Sequence, residues 1–391
     1  VGVLGIGRVS RGVLKSNTAV SIVNPGGSKR SGRVLEIYGF NGLERVKLPA
    51  ATAGDIVMFS GIEQLDISDT LCDREHPEPL PPLTVDEPTI SMTFQVNKSP
   101  FAGREGKFLT SRQIRERLLK ELKHNVALRV EETEDPDKFR VAGRGELHLS
   151  VLIENMRREG FELAVSRPEV IRQKIDGVVC EPWEQLTVDF EESYQGAVME
   201  RLAERKGQLQ DMQPDGRGRV RLDYRIPARG LIGFRTEFLT ATAGTGLIYN
   251  VFDRYDAAVP AAIGQRVNGV MVSNMQGKAL AYALFNLQER GRLFVGHGEE
   301  IYEGMVVGIY SRASDLVVNP TKAKQLTNIR AAGTDENLVL SPPIRFSLEQ
   351  ALEFIDDDEL VEVTPHSIRI RKKLLVEGDR RRESRLRAAA E

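Results

Sequence analysis

Cysteine is nearly absent. Cys72 and Cys180 are the only two in 391 residues, and they lie far apart with no CxxC between them. That argues against a disulfide framework or a zinc knuckle and fits a reducing cytoplasm. Long apolar runs are missing as well. None approaches the roughly 18 residues of a spanning helix, and the N-terminus shows no basic-then-apolar signal pattern. Neither sign of charge dominates. Lys and Arg number 54 against 56 Asp and Glu, a net charge of −2, so any affinity for nucleic acid must come from local patches. No phosphate-binding loop is present. Gly277-Lys278 is followed by Ala279, and Val272 stands where the first glycine of such a loop belongs. Gly5-Ile6-Gly7 has Ser10 in place of a third glycine, and Asn97-Lys98 runs into Ser99-Pro100 rather than a guanine-reading Asn-Lys-x-Asp. These residues exclude nucleotide hydrolysis by the usual parts. The histidines, at 76, 124, 148, 297 and 366, show no metal-ligand spacing. His297-Gly298-Glu299 matches the HxE of deaminases, but the partner PCxxC is missing.

What remains is globular in character. Hydrophobic residues make up 41% and charged residues 28%, outside the range of disordered or membrane chains. A length of 391 residues exceeds one ordinary core and predicts two to four domains, at about 150 residues each. Val1 already lies inside a strand-like pattern, VGVLGIGRV, so the sequence reads as a segment cut at a domain boundary.

Residues 1–72 read as all-β. Strands are predicted at Val1–Val9, Thr18–Val23, Gly32–Ile37 and Asp55–Gly61, punctuated by Asn24-Pro25-Gly26-Gly27 and Gly39-Phe40-Asn41-Gly42. Such spacing favours a small closed barrel. Five prolines in 73–88 remove backbone donors and mark a linker. Residues 89–166 then alternate. Thr89–Val96 is a strand, and Thr110 and Gln113 fit a capping box that opens a helix carrying Ile114, Leu118 and Leu122. Strands Ala127–Glu131 and Lys138–Val141 follow, then a helix near Gly145–Arg158 and a strand at Phe161–Ser166. That order is the split βαβ, or ferredoxin-like, sandwich. Residues 180–258 repeat the theme, with helices at Gly196–Arg205 and Leu231–Thr240. Residues 265–391 are less regular. Strands are predicted at Gln265–Ser273, Gly304–Tyr310, Glu359–Val363 and Ser367–Lys372, and helices at Ala279–Glu289 and Ser347–Ile355.

Three segments invite a chemical reading. From Leu316 to Thr334 the chain is long, polar and aperiodic, with no acid at all. Lys322, Lys324 and Arg330 are interleaved there with Gln325, Thr327 and Asn328, a mixture able to meet phosphates and ribose hydroxyls together. An ordinary exposed loop has the same composition. The tail from His366 to Glu391 holds nine Lys and Arg against four acids, which suits either an RNA contact or a solubilising end. The run Glu349–Glu362 holds seven carboxylates and no basic residue. Asp356-Asp357-Asp358 within it suggests a metal or acid/base pair, but a solvated helix end and turn is the expected reading.

These residues carry a family resemblance. GIGRVSRG and the AGDIV of Ala53–Val57 resemble the second domain of translational GTPases. Gly143-Arg144-Gly145-Glu146-Leu147-His148-Leu149 and the helix ending Met156-Arg157-Arg158 resemble the third domain of elongation factor G. Tyr194-x-Gly196-x-Val198, Arg205-Lys206-Gly207, Met212 and Thr242-x-Gly244-x-Gly246 resemble its fifth. The fourth domain of that factor is absent, since Ser166 and Cys180 are separated by a short stretch. NPTKAKQLTNIRAAGTDE (Asn319–Glu336) and LEQALEFIDDDELVEVTP (Leu348–Pro365) resemble the C-terminal domain of the BipA/TypA family.

The expected architecture is therefore multidomain α+β: a β-barrel at 1–82, two ferredoxin-like domains at 83–170 and 171–260, and a mixed α/β C-terminal domain at 261–391. The resemblance implies a cytoplasmic, monomeric ribosome-binding factor that docks at the elongation-factor site, away from any membrane. It implies contacts with large-subunit rRNA, ribosomal proteins and the acceptor end of A-site tRNA, and a role in large-subunit assembly and in growth under cold or other stress. GTP and Mg would be held by a G domain preceding Val1, so this segment is expected to be inactive alone. Carried over by position, Lys322, Lys324, Gln325, Thr327, Asn328 and Arg330 are the expected RNA contacts. Rival readings are another elongation-type or back-translocating GTPase, a stand-alone hydrolase using Asp356–Asp358 or His297, and a protein-binding scaffold without RNA contact.

Overall fold

A computed structural model describes residues 4–42, 44–82, 87–261, 263–264, 266–323 and 338–390. The chain forms two compact units, one of residues 1–85 with 120–126, the other of 86–119 with 127–391.

In the first unit three small antiparallel sheets wrap one core of Val20, Ile22, Val34, Ile37, Val57 and Phe59, the small barrel that the strand spacing predicts. The strand expected over Gly32–Ile37 is in fact two, Lys29–Val34 and Ile37–Asn41. Between them the amide of Leu35 donates to the Ser60 carbonyl and that of Ser60 to the Glu36 carbonyl. The chain there changes from one sheet to the next, which periodicity alone does not register.

The second unit holds both ferredoxin-like repeats. In the first, Arg129–Glu132, Lys138–Gly143, Ile90–Gln95 and Leu163–Val165 lie side by side in that order, with helices α1 (Ser111–Leu122) and α2 (Glu146–Glu159). The Thr110 amide donates to the Gln113 side chain at 3.0 Å and Thr110 Oγ1 accepts the Gln113 amide at 3.3 Å, so the predicted capping box forms. Ile114, Leu118, Leu149, Leu152, Ile153 and Met156 are buried, as the helical spacing requires. In the second repeat, Gln208–Pro214, Arg219–Pro227, Val178–Glu191 and Leu247–Ala257 follow the same order, with α3 (Gln195–Glu204) and α4 (Phe234–Ala241). Their core holds Leu186, Val188, Phe190, Leu202, Phe234 and Phe238. Helix α4 begins three residues later than the expected Leu231, because Gly233 at φ 74° breaks the helical path.

The C-terminal part is built on Val270–Ser273, which pairs antiparallel with Val306–Ile309 and parallel with Leu316–Val318. Helices α5 (Ala281–Gln288), α6 (Leu348–Phe354) and α7 (Glu377–Ala390) complete it. Two of its strands do not stay with it. Glu359–Val363 pairs with Leu163–Val165 and Ile368–Lys372 pairs with Glu359–Val363. Together with Glu169–Val170, which pairs with Ile90–Gln95, they extend the first ferredoxin-like sheet to seven strands. Phe101, from the first repeat, enters the C-terminal core and meets Tyr302 edge-on at 4.9 Å. No helix among the described residues is long and apolar enough to cross a membrane.

Candidate nucleic-acid interface

The acid-free segment begins as structure. Leu316–Val318 is a strand, not the aperiodic loop its polarity predicts, because it lies beside the buried Val270–Ser273. The Asn274 amide then donates to the Val318 carbonyl at 3.0 Å. Asn319 Oδ1 accepts from the Thr321 amide at 3.0 Å and from its hydroxyl at 2.8 Å, a side chain mimicking a backbone turn. The Leu280 amide, at the start of α5, donates to the Pro320 carbonyl at 2.9 Å. Lys322 and Ala323 are exposed beyond this anchor.

The returning end is held at the other end of the same helix. Gln288 Nε2 donates to the Val339 carbonyl at 3.0 Å, and Gln288 Oε1 accepts the Ser341 amide at 3.0 Å. One carboxamide thus pairs with the chain as a neighbouring strand would. The Ile344 amide donates to the Leu293 carbonyl at 2.8 Å. The eight residues of α5 place the two anchors about 12 Å apart. Of the expected RNA contacts, Lys322 lies on this frame, and it makes no ion pair among the described residues. Lys324, Gln325, Thr327, Asn328 and Arg330 lie outside the described residues.

Beneath this frame runs a buried polar network that sequence reasoning missed. Glu362 is fully buried. Its Oε1 accepts from Asn97 Nδ2, Ser99 Oγ and Arg369 Nη1, each at 3.0 Å. Its Oε2 accepts from the Tyr302 hydroxyl at 2.6 Å. Burial pushes the Tyr302 hydroxyl well above its usual range, and the adjacent Glu362 carboxylate pushes it further. Glu162, also fully buried, accepts from Asn97 at 2.8 Å and from the amides of Gly103 and Gly106 at 3.2 Å. Burial alone would raise the Glu105 carboxyl. Its hydrogen bond from Thr364 and the charge of Arg369 bring it below the usual range.

The acidic run therefore needs correction. Two of its carboxylates, Glu359 and Glu362, are not solvated but sit inside the seven-stranded sheet. Glu359 faces Lys372 and Glu362 faces Arg369 across one hairpin. Glu359 also takes Arg266 through both oxygens at 2.8 Å. Burial works against the Glu359 charge, but Arg266 and Lys372 hold its carboxyl below the usual range. The basic tail likewise supplies Ile368–Lys372 to the sheet and α7 beyond it, rather than a disordered end.

The remaining chemical candidates resolve into structural roles. His297 Nδ1 accepts the Ala281 amide at 3.1 Å, closing the start of α5, and His148 Nδ1 accepts the Arg144 amide at 3.4 Å. Asp358 accepts from Lys372 at 2.8 Å. Among the described residues no three His, Cys, Asp or Glu side chains are grouped to hold a metal ion. A cleft of about 510 Å³ opens between Phe101, Arg104, Arg345 and Arg369. Its arginines are already engaged, Arg104 with Glu300 at 2.6 Å, Arg345 with Glu299, and Arg369 with Glu105 and Glu362.

Comparison with known families decides the assignment. Residues 268–377 match the TypA/BipA C-terminal domain, and a protein of Escherichia coli K12 is 64% identical over 385 residues. The chain belongs to the TypA/BipA family. Residues 178–266 match the elongation factor G C-terminus and residues 2–72 match elongation factor Tu domain 2. The E. coli relative is described as "Large ribosomal subunit assembly factor BipA"; the alignment covers 98% of this chain and 63% of that protein. Relatives of the same description in Haemophilus influenzae and Buchnera aphidicola are 63% and 55% identical over 98% of this chain. The chain spans 62% and 63% of their lengths respectively.

Proposed function

We propose that this chain is the ribosome-docking portion of a translational GTPase that assists assembly of the large ribosomal subunit. The barrel and the two ferredoxin-like repeats seat it at the elongation-factor site in the cytoplasm. The segment 319–336 meets rRNA and the acceptor end of A-site tRNA, through Lys322, Lys324, Gln325, Thr327, Asn328 and Arg330. GTP and Mg belong to a G domain outside these 391 residues, and the present residues position rather than catalyse. The chain acts as a monomer, in growth under cold or other stress.

The frame around α5 carries this reading. The stretch that contains the acid-free residues 316–334 is tied at Pro320 to one end of a helix and, past Asp335 and Glu336, at Val339 and Ser341 to the other. That fixes where the chain leaves the fold, at Lys322, and where it returns. Similarity to relatives described as large-subunit assembly factors supports RNA as the partner class. A loop that positions itself on phosphates adds affinity without sequence preference.

The test is binding of the chain to isolated large ribosomal subunits across a salt series, with and without Lys322→Ala/Lys324→Ala. Weaker saturable binding in the variant, with a salt slope shallower by roughly one to two units, is the expected result. Equal binding by both proteins would remove the loop from the interface. Binding by both that is insensitive to salt would favour a protein scaffold.

A further inference from the structure

We infer that the face of α7 bearing Arg381, Arg382 and Arg385 is a second RNA-binding surface, laid along the phosphate backbone of an A-form duplex. It rests on the reading above only in taking RNA as the partner class. Its residues are separate from the loop, and α7 extends beyond the matched family domain, which ends at residue 377.

The helix is a fixed feature of the fold. The Glu377 amide donates to Glu303 Oε1 at 3.0 Å, and Arg380 Nη1 donates to the Leu374 carbonyl at 3.0 Å. Gly304, at φ 86°, lies so close beneath the preceding segment that a Cβ there would sit 2.6 Å from Leu375 Cα. The Lys372 amide donates to the Gly304 carbonyl at 2.8 Å. A guanidinium on this helix is therefore carried on a scaffold with a defined origin and direction.

The charges on it are sorted by face. At about 100° per residue, half-buried Glu377, Arg380 and Glu383 share one side. Arg381, Arg382 and Arg385 are exposed and fall within an arc of about 100° on the other side. Asp379 and both glutamates lie outside that arc. Arg381 is bound to Glu377, whereas Arg382 and Arg385 make no ion pair among the described residues. Arg381 and Arg385 are like charges one turn apart, an arrangement that weakens a helix unless a counter-charge covers it. The helix dipole favours cations anywhere around the last turns and does not explain their gathering in one arc.

The chemistry of this face selects among polyanions. Guanidinium forks match phosphate oxygens in pairs, which ammonium groups do not. The described part of α7 carries one exposed large apolar residue, Leu386, and so lacks the broad apolar face of a membrane-surface helix. It has no aromatic residue on which an unpaired base would stack. Three arginines in one arc, with neither stacking group nor amide, suit a row of phosphates on the outside of a duplex.

The experiment compares the full chain with Arg382→Gln/Arg385→Gln, which keeps good helix formers, and with Arg382→Lys/Arg385→Lys. The probes are an RNA duplex, its separated single strands, and large ribosomal subunits. The expected result is a preference for duplex over single strands. Between about 50 and about 200 mM salt, wild-type affinity should fall about ten-fold further than that of the glutamine variant, and the lysine variant should keep the wild-type slope. Equal affinity of wild type and glutamine variant for duplex overturns the proposal. Equal displacement by polyglutamate also overturns it, in favour of an acidic protein. On ribosomal subunits, loss with Lys322→Ala but not with the arginine variant leaves the loop reading standing and removes the helix. The converse keeps the helix and removes the loop. No wild-type binding to either probe removes both.

Discussion

Asn97 and Glu362 stand 265 residues apart in the sequence and are hydrogen-bonded at 3.0 Å in the protein interior. The same amide nitrogen donates to Glu162 at 2.8 Å. One carboxamide thus joins the first ferredoxin-like repeat to a strand of the C-terminal region, between two buried carboxylates.

This junction is stabilising only while complete, because a buried charge that loses its partners keeps its desolvation cost. Glu362→Ala leaves Arg369, Ser99 and Tyr302 short of an acceptor and is expected to cost about 3–5 kcal/mol. Asn97→Ala removes one donor from two buried carboxylates that keep their other donors, and should cost about 1–3 kcal/mol. Urea unfolding followed by tryptophan fluorescence and circular dichroism measures both. A loss below about 1 kcal/mol for Glu362→Ala would show the network to be dispensable.

Glu146 gives the fold a pH dependence of defined sign. Burial at the start of α2 raises its carboxyl to about 7, and the nearby Glu353 adds to the rise. Glu353 is itself raised, by burial first. The Glu146 group holds its proton more tightly folded than unfolded, so its contribution is complete below the ordinary carboxyl value of 4.5 and is lost as pH rises through about 7. The loss amounts to about 3 kcal/mol at most. Glu146→Gln removes it, and the variant should gain on wild type between pH 5 and 8 in denaturant midpoint. Parallel pH profiles for the two proteins would refute the assignment.

The returning anchor of the chain, at Val339 and Ser341, depends on one side chain. Gln288→Ala deletes both bonds, to Val339 and to Ser341. Global stability should fall by about 1 kcal/mol. The Ser341 amide should exchange with solvent about ten-fold faster, while the Leu280 amide at the other anchor keeps its rate. Unchanged Ser341 exchange would mean that the segment is held by something other than Gln288.

Much of this was legible in the residues. The two βαββαβ repeats, the Thr110–Gln113 cap and the apolar faces of α1 and α2 follow from period and capping chemistry that act locally. The interior network was not. Charge in a sequence reads as exposure, so Glu349–Glu362 looked like a solvated surface and His366–Glu391 like a separate basic tail. The strands expected at Glu359–Val363 and Ser367–Lys372 do form, but their pairing of Glu362 with Arg369 and Glu359 with Lys372 inside the sheet went unread, and the mirrored order of acids and bases was the available signal. Asn97, inspected as part of a nucleotide-reading motif, is an interior donor. Leu316–Val318 was too short to show a period, and its strand character comes from the parallel neighbour at Val270–Ser273.

The seven-stranded sheet also fixes an order of events during synthesis. Leu163–Val165 pairs on one side with Ile90–Gln95, within its own repeat, but its other neighbour is Glu359–Val363. Until residue 363 has been made, the nascent chain carries an open sheet edge, with Asn97 and Ser99 lacking their acceptor on Glu362. Such an edge is a template for pairing with another copy, and closing it requires joining segments nearly two hundred residues apart, a slow step by loop entropy. The first repeat is therefore a site of aggregation risk during translation, and the C-terminal hairpin is its intramolecular guard.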